Sequence, residues 1–377
     1  MSYEHDALRS AIRGLTSGCT ARNGHDPALW TRLCKEIGVA GLAVPPQYGG
    51  AGATILESLV ALEELSRNLL PTPMLNTLLA TQALLAAGDP EACARLLPPI
   101  CAGDVIVSIT ADGTLIDAAG ADLLLVIADD ELFEVEPAAV VQHPLPSLDL
   151  TRRLTTIAPT SPPAAAAARA TAAPASAPAA APLGARINDI SDLLDKGNEV
   201  AGNKVAGNEA GGDAERGAVS GKRVGVVSGG WVRDLGCVAL SAEQVGAASR
   251  ALELTVAYAK SRVQFGRPIG GFQVLQHRMA EGHVRVEAAR SACWTAAEAF
   301  AAGSAEASRL AAVAKVWCSE TLRVVAADMV QIHGGIAITW EHDAHLYLRR
   351  AWDSAQLFGS PRSHLDRLAA ALVGGDG

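Results

Sequence analysis

At 377 residues the chain has the length of two to three domains and ample material for a hydrophobic core. Its 31 basic and 40 acidic residues leave a formal charge of −9, which argues against a nucleic-acid groove or an anionic membrane as partner. Hydrophobic residues make up 49% but aromatics only 4%, so the apolar content is mostly Ala, Val and Leu, and helices packed closely on small side chains are expected.

The start, MSYEHDALRSAI, has neither the basic nor the apolar region of a secretory signal, and no stretch approaches the ~20 apolar residues of a membrane span. A cytoplasmic protein is expected. Seven cysteines, Cys19, Cys34, Cys93, Cys101, Cys237, Cys293 and Cys318, are scattered with no CxxC, so neither a disulfide framework nor a zinc site is encoded.

Residues 1–103 read as a helical domain. Asp26 before Pro27 is an N-cap with proline at the first helical position; Trp30, Leu33 and Ile37 follow at helical spacing, and Gly38 supplies the stop. After the loop VPPQYGGAG, Thr54 and Glu57 form a capping box that opens ILESLVALEELSRNLL, closed by Pro71 and Pro73. A third helix is expected from about Met74 to Ala87. Across 104–157 the period changes: VIVSI, DLLLVIAD and the alternating ELFEVE read as short strands of a reduced β middle domain. Residues 158–230 are dominated by Ala/Pro and Gly/Asn/Ala tracts, which bury too little apolar surface to offset chain ordering, so a flexible insertion is expected, most clearly over 158–220.

Residues 231–377 read as a helical bundle. Val245, Ala248, Leu252, Val256 and Ala259 step by three and four; Phe272, Leu275, Met279, His283 and Val286 repeat that spacing, as do Leu310, Val313, Trp317, Thr321 and Val324. A shorter helix from Ser363 to Val373 after Pro361 closes a four-helix bundle. Arg262 at a helix end beside Phe265-Gly266 could hold a pyrophosphate bidentately, Gln273 offers an amide eleven residues on, and Gly334-Gly335 leaves main-chain N–H groups open to a ligand. The same residues also read as an arginine capping a helix and glycines ending one. In Glu341 to His345, two imidazoles beside two carboxylates have an open metal-ligand spacing that is common on surfaces, and His277 and His283 suit packing or solvent exposure.

GLAVPPQYGGAG with its LEEL helix, SRVQFGRPIGGFQVLQHRMAE and DMVQIHGGIAITWEHDAHLYLRRA resemble the acyl-CoA dehydrogenase family, over about residues 1–110 and 236–372. The resemblance implies a mainly α fold with an N-terminal helical domain, a β middle domain and a C-terminal four-helix bundle. It implies FAD as cofactor, contacted by Arg262, Phe265, Gln273, Gln331, Gly334 and Gly335, these groups reaching a flavin held mainly by a neighbouring homologous subunit. It also implies an acyl-CoA thioester as substrate in fatty acid or steroid catabolism, and an electron-transfer flavoprotein as the usual acceptor.

In the family a glutamate removes the α-proton, either near the end of the bundle after an aromatic residue or at the start of the first bundle helix. The matching positions are Gly359, nine after Arg350, and Gly236, twenty-nine before Phe265. Glu243 lies seven residues from Gly236, roughly 10 Å along a helix, and Asp353 six before Gly359, so both are poorly placed substitutes. The family's TEPxAGSD-like loop and tryptophan-bearing strand are not recognisable; SITADG, Ser108 to Gly113, is a remnant. No residue is therefore assigned as catalytic or as a metal ligand. The chain resembles the base-lacking subunits of actinobacterial heteromeric acyl-CoA dehydrogenases; the alternative is a scaffold or CoA-thioester-binding subunit without flavin. From composition, limited proteolysis is expected to cut first within 158–220 and leave the flanking fragments associated; uniform resistance there would place the tract in a folded domain.

Overall fold

Side-chain caps set several helix starts in the computed structural model, which describes residues 3–23, 25–159 and 221–373. Asp26 accepts from the N–H groups of Ala28 and Leu29 to open α2 (Pro27–Arg32), which runs on through a π turn to left-handed Gly38. Thr54 and Glu57 form the expected capping box of α3 (Ile55–Ser66). With α4 (Met74–Ala87), two further helices complete this part: α1 (Tyr3–Leu15) and α5 (Pro90–Ala102), the latter carrying Pro98 and Pro99 internally.

Among the described residues, seven strands follow in the middle of the fold. β1 (Val107–Thr110), β3 (Leu123–Ala128), β4 (Glu131–Val135) and β7 (Lys222–Val226) form one sheet in that order, parallel only between β1 and β3. β2 (Thr114–Ile116), β6 (Leu154–Pro159) and β5 (Val140–Leu145) form a second, with Pro144 tolerated on edge strand β5. Leu115, Leu124, Val126, Val135 and Val140 share one small core, so the two sheets face each other. The aliphatic runs and the alternating ELFEVE identify β1, β3 and β4; β2, β5, β6 and β7 have no such pattern. Residues 222–226, assigned by composition to the 158–230 tract, are strand β7, and α6 begins at Gly229; residues 160–220 lie outside the described residues.

α6 (Gly229–Ser261), α7 (Gln273–Ala301), α8 (Ala307–His333), α9 (Ala344–Gln356) and α10 (Pro361–Val373) make up the C-terminal part, one helix more than the spacing predicts. α6 is buried continuously from Leu235 to Ser249 and touches α3 so closely that a Cβ on Gly246 would fall 2.0 Å from the Glu63 carbonyl oxygen. The expected α8 stripe is corrected. Of that stripe Thr321 is buried, but Val313 and Trp317 are 37% and 44% exposed, while Ala311, Lys315, Cys318, Leu322, Val325 and Met329 face inward. Small residues and one lysine form the true core face, which a search for bulky apolar residues passes over. In α7, Gly282 rather than exposed His283 takes the buried position. No helix among the described residues is long and apolar enough to cross a membrane.

Lys315 is wholly buried, and its ammonium donates to the Ser354 and Ala355 carbonyls at the end of α9 (2.9 Å each) and to Ser319 Oγ (3.1 Å). Burial pulls its pKa down to about 8. Below that value the amine is protonated both folded and unfolded, and the full desolvation cost is present. Between about 8 and 10.5 the folded chain has released a proton that the unfolded chain retains, so Lys315 contributes stability that rises with pH. Denaturation midpoints measured over this range should rise more steeply for the wild type than for Lys315→Met, by at most about 1.4 kcal/mol per pH unit; parallel curves would refute the shift.

Candidate functional site: a hairpin end and a glycine-lined cavity

The motifs at Arg262 and Gln331 meet at one end of the bundle. Arg262 caps α6, its N–H bonded to the Tyr258 carbonyl (2.8 Å), and its exposed guanidinium has no ion-pair partner among the described residues. The chain then turns through a two-residue hairpin, β8 (Val263–Gln264) and β9 (Arg267–Pro268), with positive φ at both Phe265 (+52°) and Gly266 (+78°). This left-handed pair matches the strand twist but strains a phenylalanine. The Phe265 ring is 92% exposed and stands edge-on to Phe272, over which the Arg267 guanidinium sits at 4.1 Å.

Gln273 opens α7 immediately after Phe272. A cluster of Ala259, Ile269 and Ile332, with Tyr258, Phe272, Leu275 and Met279 against it, ties this hairpin to the end of α8. There His333, held through Nδ1 to the Met329 carbonyl (2.7 Å), stacks on Tyr258 at 4.3 Å and meets His342 at 4.4 Å. Burial lowers the pKa of His333 and of His342. Gln331, Gly334 and Gly335 are exposed, and a Cβ on either glycine would meet nothing within 4 Å. All six residues singled out in the sequence therefore lie on one open, solvent-facing end.

Gly359 lies elsewhere, in the wall of a cavity of about 560 Å³ at the C-terminal end of β1, and Gly236 packs against the neighbouring Phe358. Phe358 (φ +57°) and Gly359 (φ +97°) line it, together with Gly229, Gly230 and Arg233 of α6. A Cβ on Gly236 would fall 2.8 Å from the Phe358 ring, and one on Gly359 would fall 2.9 Å from His364 Nε2. The turn is pinned through its carbonyl: His364 Nε2 donates to Phe358 O (2.9 Å), as does the Cys237 thiol (3.6 Å). Arg367 Nη2, 3.4 Å from His364 Nδ1, can only donate, which assigns the proton to Nε2. Burial lowers the His364 pKa and pushes the Cys237 thiol up to about 12, so both groups stay neutral.

The two substitute carboxylates separate. Glu243 is buried against Arg152, hydrogen-bonded to its Nη2, and is absent from the cavity wall. Asp353, by contrast, lines the cavity, a placement that its distance in sequence from Gly359 does not suggest. Burial raises its pKa, although Ser147 Oγ donates to it (2.9 Å). Behind it Asp149 is held by Arg350 and by the Thr151 N–H (2.9 Å) and hydroxyl (2.6 Å). Burial would raise the Asp149 pKa, but Arg350 and Arg152 keep it below the usual carboxylate value.

Comparison with known proteins identifies the family. Residues 4–104 match the acyl-CoA dehydrogenase N-terminal domain, and 234–373 the C-terminal domain. The chain belongs to the acyl-CoA dehydrogenase family, a family of FAD-dependent oxidoreductases. It is 35% identical over 384 residues to acyl-CoA dehydrogenase IpdE2 of Mycolicibacterium smegmatis, covering 99% of this chain and 100% of that one. To IpdE2 of Mycobacterium tuberculosis it is 36% identical over 357 residues, covering 93% and 88%. The fold matches the ChsE4-ChsE5 complex of Mycobacterium tuberculosis with a TM-score of 0.76 at 23% identity, covering 99% and 98% of the two chains. It also matches butyryl-CoA dehydrogenase of Megasphaera elsdenii with a TM-score of 0.73 at 17% identity, covering 99% of each.

The contact between Gly236 and Phe358 yields a stability test. Gly236→Ala should destabilise the fold by about 1–3 kcal/mol through overpacking, and Phe358→Leu in the same chain should recover part of that loss. Additive effects in chemical denaturation would show that the two do not share space.

Proposed function

We propose that the chain is an acyl-CoA dehydrogenase subunit that acts with a homologous partner, contributes its hairpin end to FAD and leaves the catalytic base to that partner. The carrying observation is the contrast between its two regions. The hairpin end carries all six residues that the resemblance assigns to the flavin, whereas glycine stands at both base positions, with the Phe358 ring against Gly236. The residues present fit the cofactor: an exposed, unpaired guanidinium suits a pyrophosphate, and the Gly334–Gly335 turn lets main-chain N–H groups approach a ligand closely.

When bound, FAD supplies the hydride acceptor for oxidation of the acyl thioester between its α and β carbons. Arg262 would hold the pyrophosphate by its planar fork, Gln273 and Gln331 would offer amide donors and acceptors, and the exposed Phe265 ring would cover an apolar part of the ligand or of the partner. The α-proton needs a carboxylate whose pKa is raised toward neutrality, and the partner would provide it. Action beside a partner is in keeping with one solved neighbour of the same fold, which is a two-protein complex, ChsE4-ChsE5.

One observation favours a second reading, a self-sufficient dehydrogenase: Asp353 lies in the cavity wall with its pKa raised by burial. Dye reduction with a panel of acyl-CoAs separates the two. The wild-type chain alone should show no useful turnover, and a base-bearing partner should restore it, since a general base contributes on the order of 10²–10⁴ in rate. Turnover by the isolated chain that is lost in Asp353→Asn would establish the second reading. In the complex, Arg262→Ala should weaken FAD retention about 10- to 100-fold, as expected for loss of charge-assisted hydrogen bonds of about 1.5–3 kcal/mol; unchanged flavin absorbance would remove Arg262 from the site.

A further inference from the structure

The turn that joins α8 to α9 carries Gly334 and Gly335, and little apolar packing holds it. From Gly334 to Asp343, Ala337 is wholly buried, whereas Ile338 and Trp340 are 77% and 65% exposed. Within the turn, Thr339 Oγ1 donates to the Ile336 carbonyl (2.9 Å) and accepts from the Glu341 N–H (3.3 Å). Its order therefore depends on a few polar contacts with its surroundings, the make-up of a segment that opens locally.

Two such contacts close the turn. Arg22, in the segment Ala21–Asn23, donates from Nε to Asp343 Oδ1 (2.5 Å) and from Nη1 to the Trp340 carbonyl. His342 Nδ1 accepts from the N–H of Ala344 (3.1 Å), the first residue of α9. Asp343 stands at the N-cap but makes no side-chain hydrogen bond to the helix, so the imidazole before it takes the part of the capping acceptor. A ring nitrogen accepts only when it carries no proton, so this cap exists only in neutral His342, with its proton on Nε2. Without it, the N–H of a wholly buried residue loses its acceptor.

The surroundings oppose a proton on His342. From α8, the His333 ring meets it at 4.4 Å, and the buried Nε2 of His333 has no partner among the described residues. Tyr258 of α6 stacks on His333 in turn. From α9, His345 stands edge-on to Trp340 at 4.8 Å with both ring nitrogens buried and unpartnered among the described residues. The charges around the group are Arg22 and Arg349 against Asp343 and exposed Glu341. Burial lowers the His342 pKa, Arg22 adding to the effect and Asp343 opposing it. A cation here would also sit at the positive end of the α9 dipole. We propose that His342 is a proton-operated latch: neutral, it caps α9 and holds the turn from Gly334 to Asp343 closed; protonated, it releases both. As pH falls below the ordinary imidazole value of 6.5, the open form takes up a proton before the closed form does, and opening becomes progressively easier. The latch stands without the flavin reading; only its consequence, a loosened cofactor end in acid, rests on that reading.

Hydrogen exchange of the full chain, without added flavin, reads the latch directly, so a failure here leaves the flavin reading untouched. Protection of peptides from Gly334 to Leu346, corrected for the intrinsic pH dependence of exchange, should fall about 3- to 10-fold between about pH 7.5 and 5.5, the range open to one histidine. Peptides of α4 should keep theirs. His342→Asn offers an oxygen that accepts without titrating, and His342→Phe offers no acceptor; in both, the fall with pH should disappear, and His342→Phe should be poorly protected throughout. His342→Asn decides alone if His342→Phe does not fold. Protection of the wild-type turn that does not change with pH, or an equal fall in His342→Asn, would overturn the proposal, the second result by passing the role to His333 or His345.

Discussion

The contact between α3 and α6 is the constraint on which the rest of the structure depends. Gly246 brings the two helices to backbone contact, and the Glu63 and Glu64 carboxylates of α3 are consequently withdrawn from water. They are answered from three directions: Arg9 and Arg13 of α1, Arg67 beyond the end of α3, and Arg290 of α7. Removing one partner of such a buried pair typically costs about 3–5 kcal/mol, because the other charge is left uncompensated. The same ions thus define how α1, α3 and α7 pack, and the small residues Ala247, Ala248 and Ala251 let α6 approach its neighbours.

At the cavity, backbone strain and side-chain packing act together. Phe358 and Gly359 both sit at positive φ, and a phenylalanine holds that conformation only when its surroundings over-determine it. His364 and Cys237 fix its carbonyl, and Lys315 fixes the two carbonyls of α9 just before it. Space beside Gly236 and Gly359 is already occupied by Phe358 and His364, so a larger side chain at either position would require the wall to move.

Much of the architecture was legible in the sequence where local chemistry announced it. The Asp26 cap, the Thr54–Glu57 box, the Arg262 to Gly266 turn and the long helices were all readable from short patterns. What escaped has a common cause, buried charge and small side chains in place of bulky apolar stripes. α9 is broken as a pattern by Arg350, which is buried against Asp149; α1 by Arg9, buried against Glu63; and the inner face of α8 by alanines and Lys315. α5 hides behind Pro98 and Pro99. Of the site, the glycines at 236 and 359 and the hairpin motif were visible from spacing, whereas the Asp353 placement and the Tyr258–His333–His342 stack depend on contacts between distant segments.

The length of α6 has a consequence for stoichiometry. From Gly236, beside the cavity, to Arg262, at the hairpin, the helix is unbroken, and at 1.5 Å per residue it spans roughly 39 Å. A rod of that length carries its two functional ends to opposite poles of the chain, so one bound molecule held at Arg262 does not also rest its reactive part beside Gly236 of the same polypeptide. On the reading proposed above, the molecules held at the two ends of one chain are therefore different, and the number of flavins bound per polypeptide would count the cavities that face a partner's hairpin.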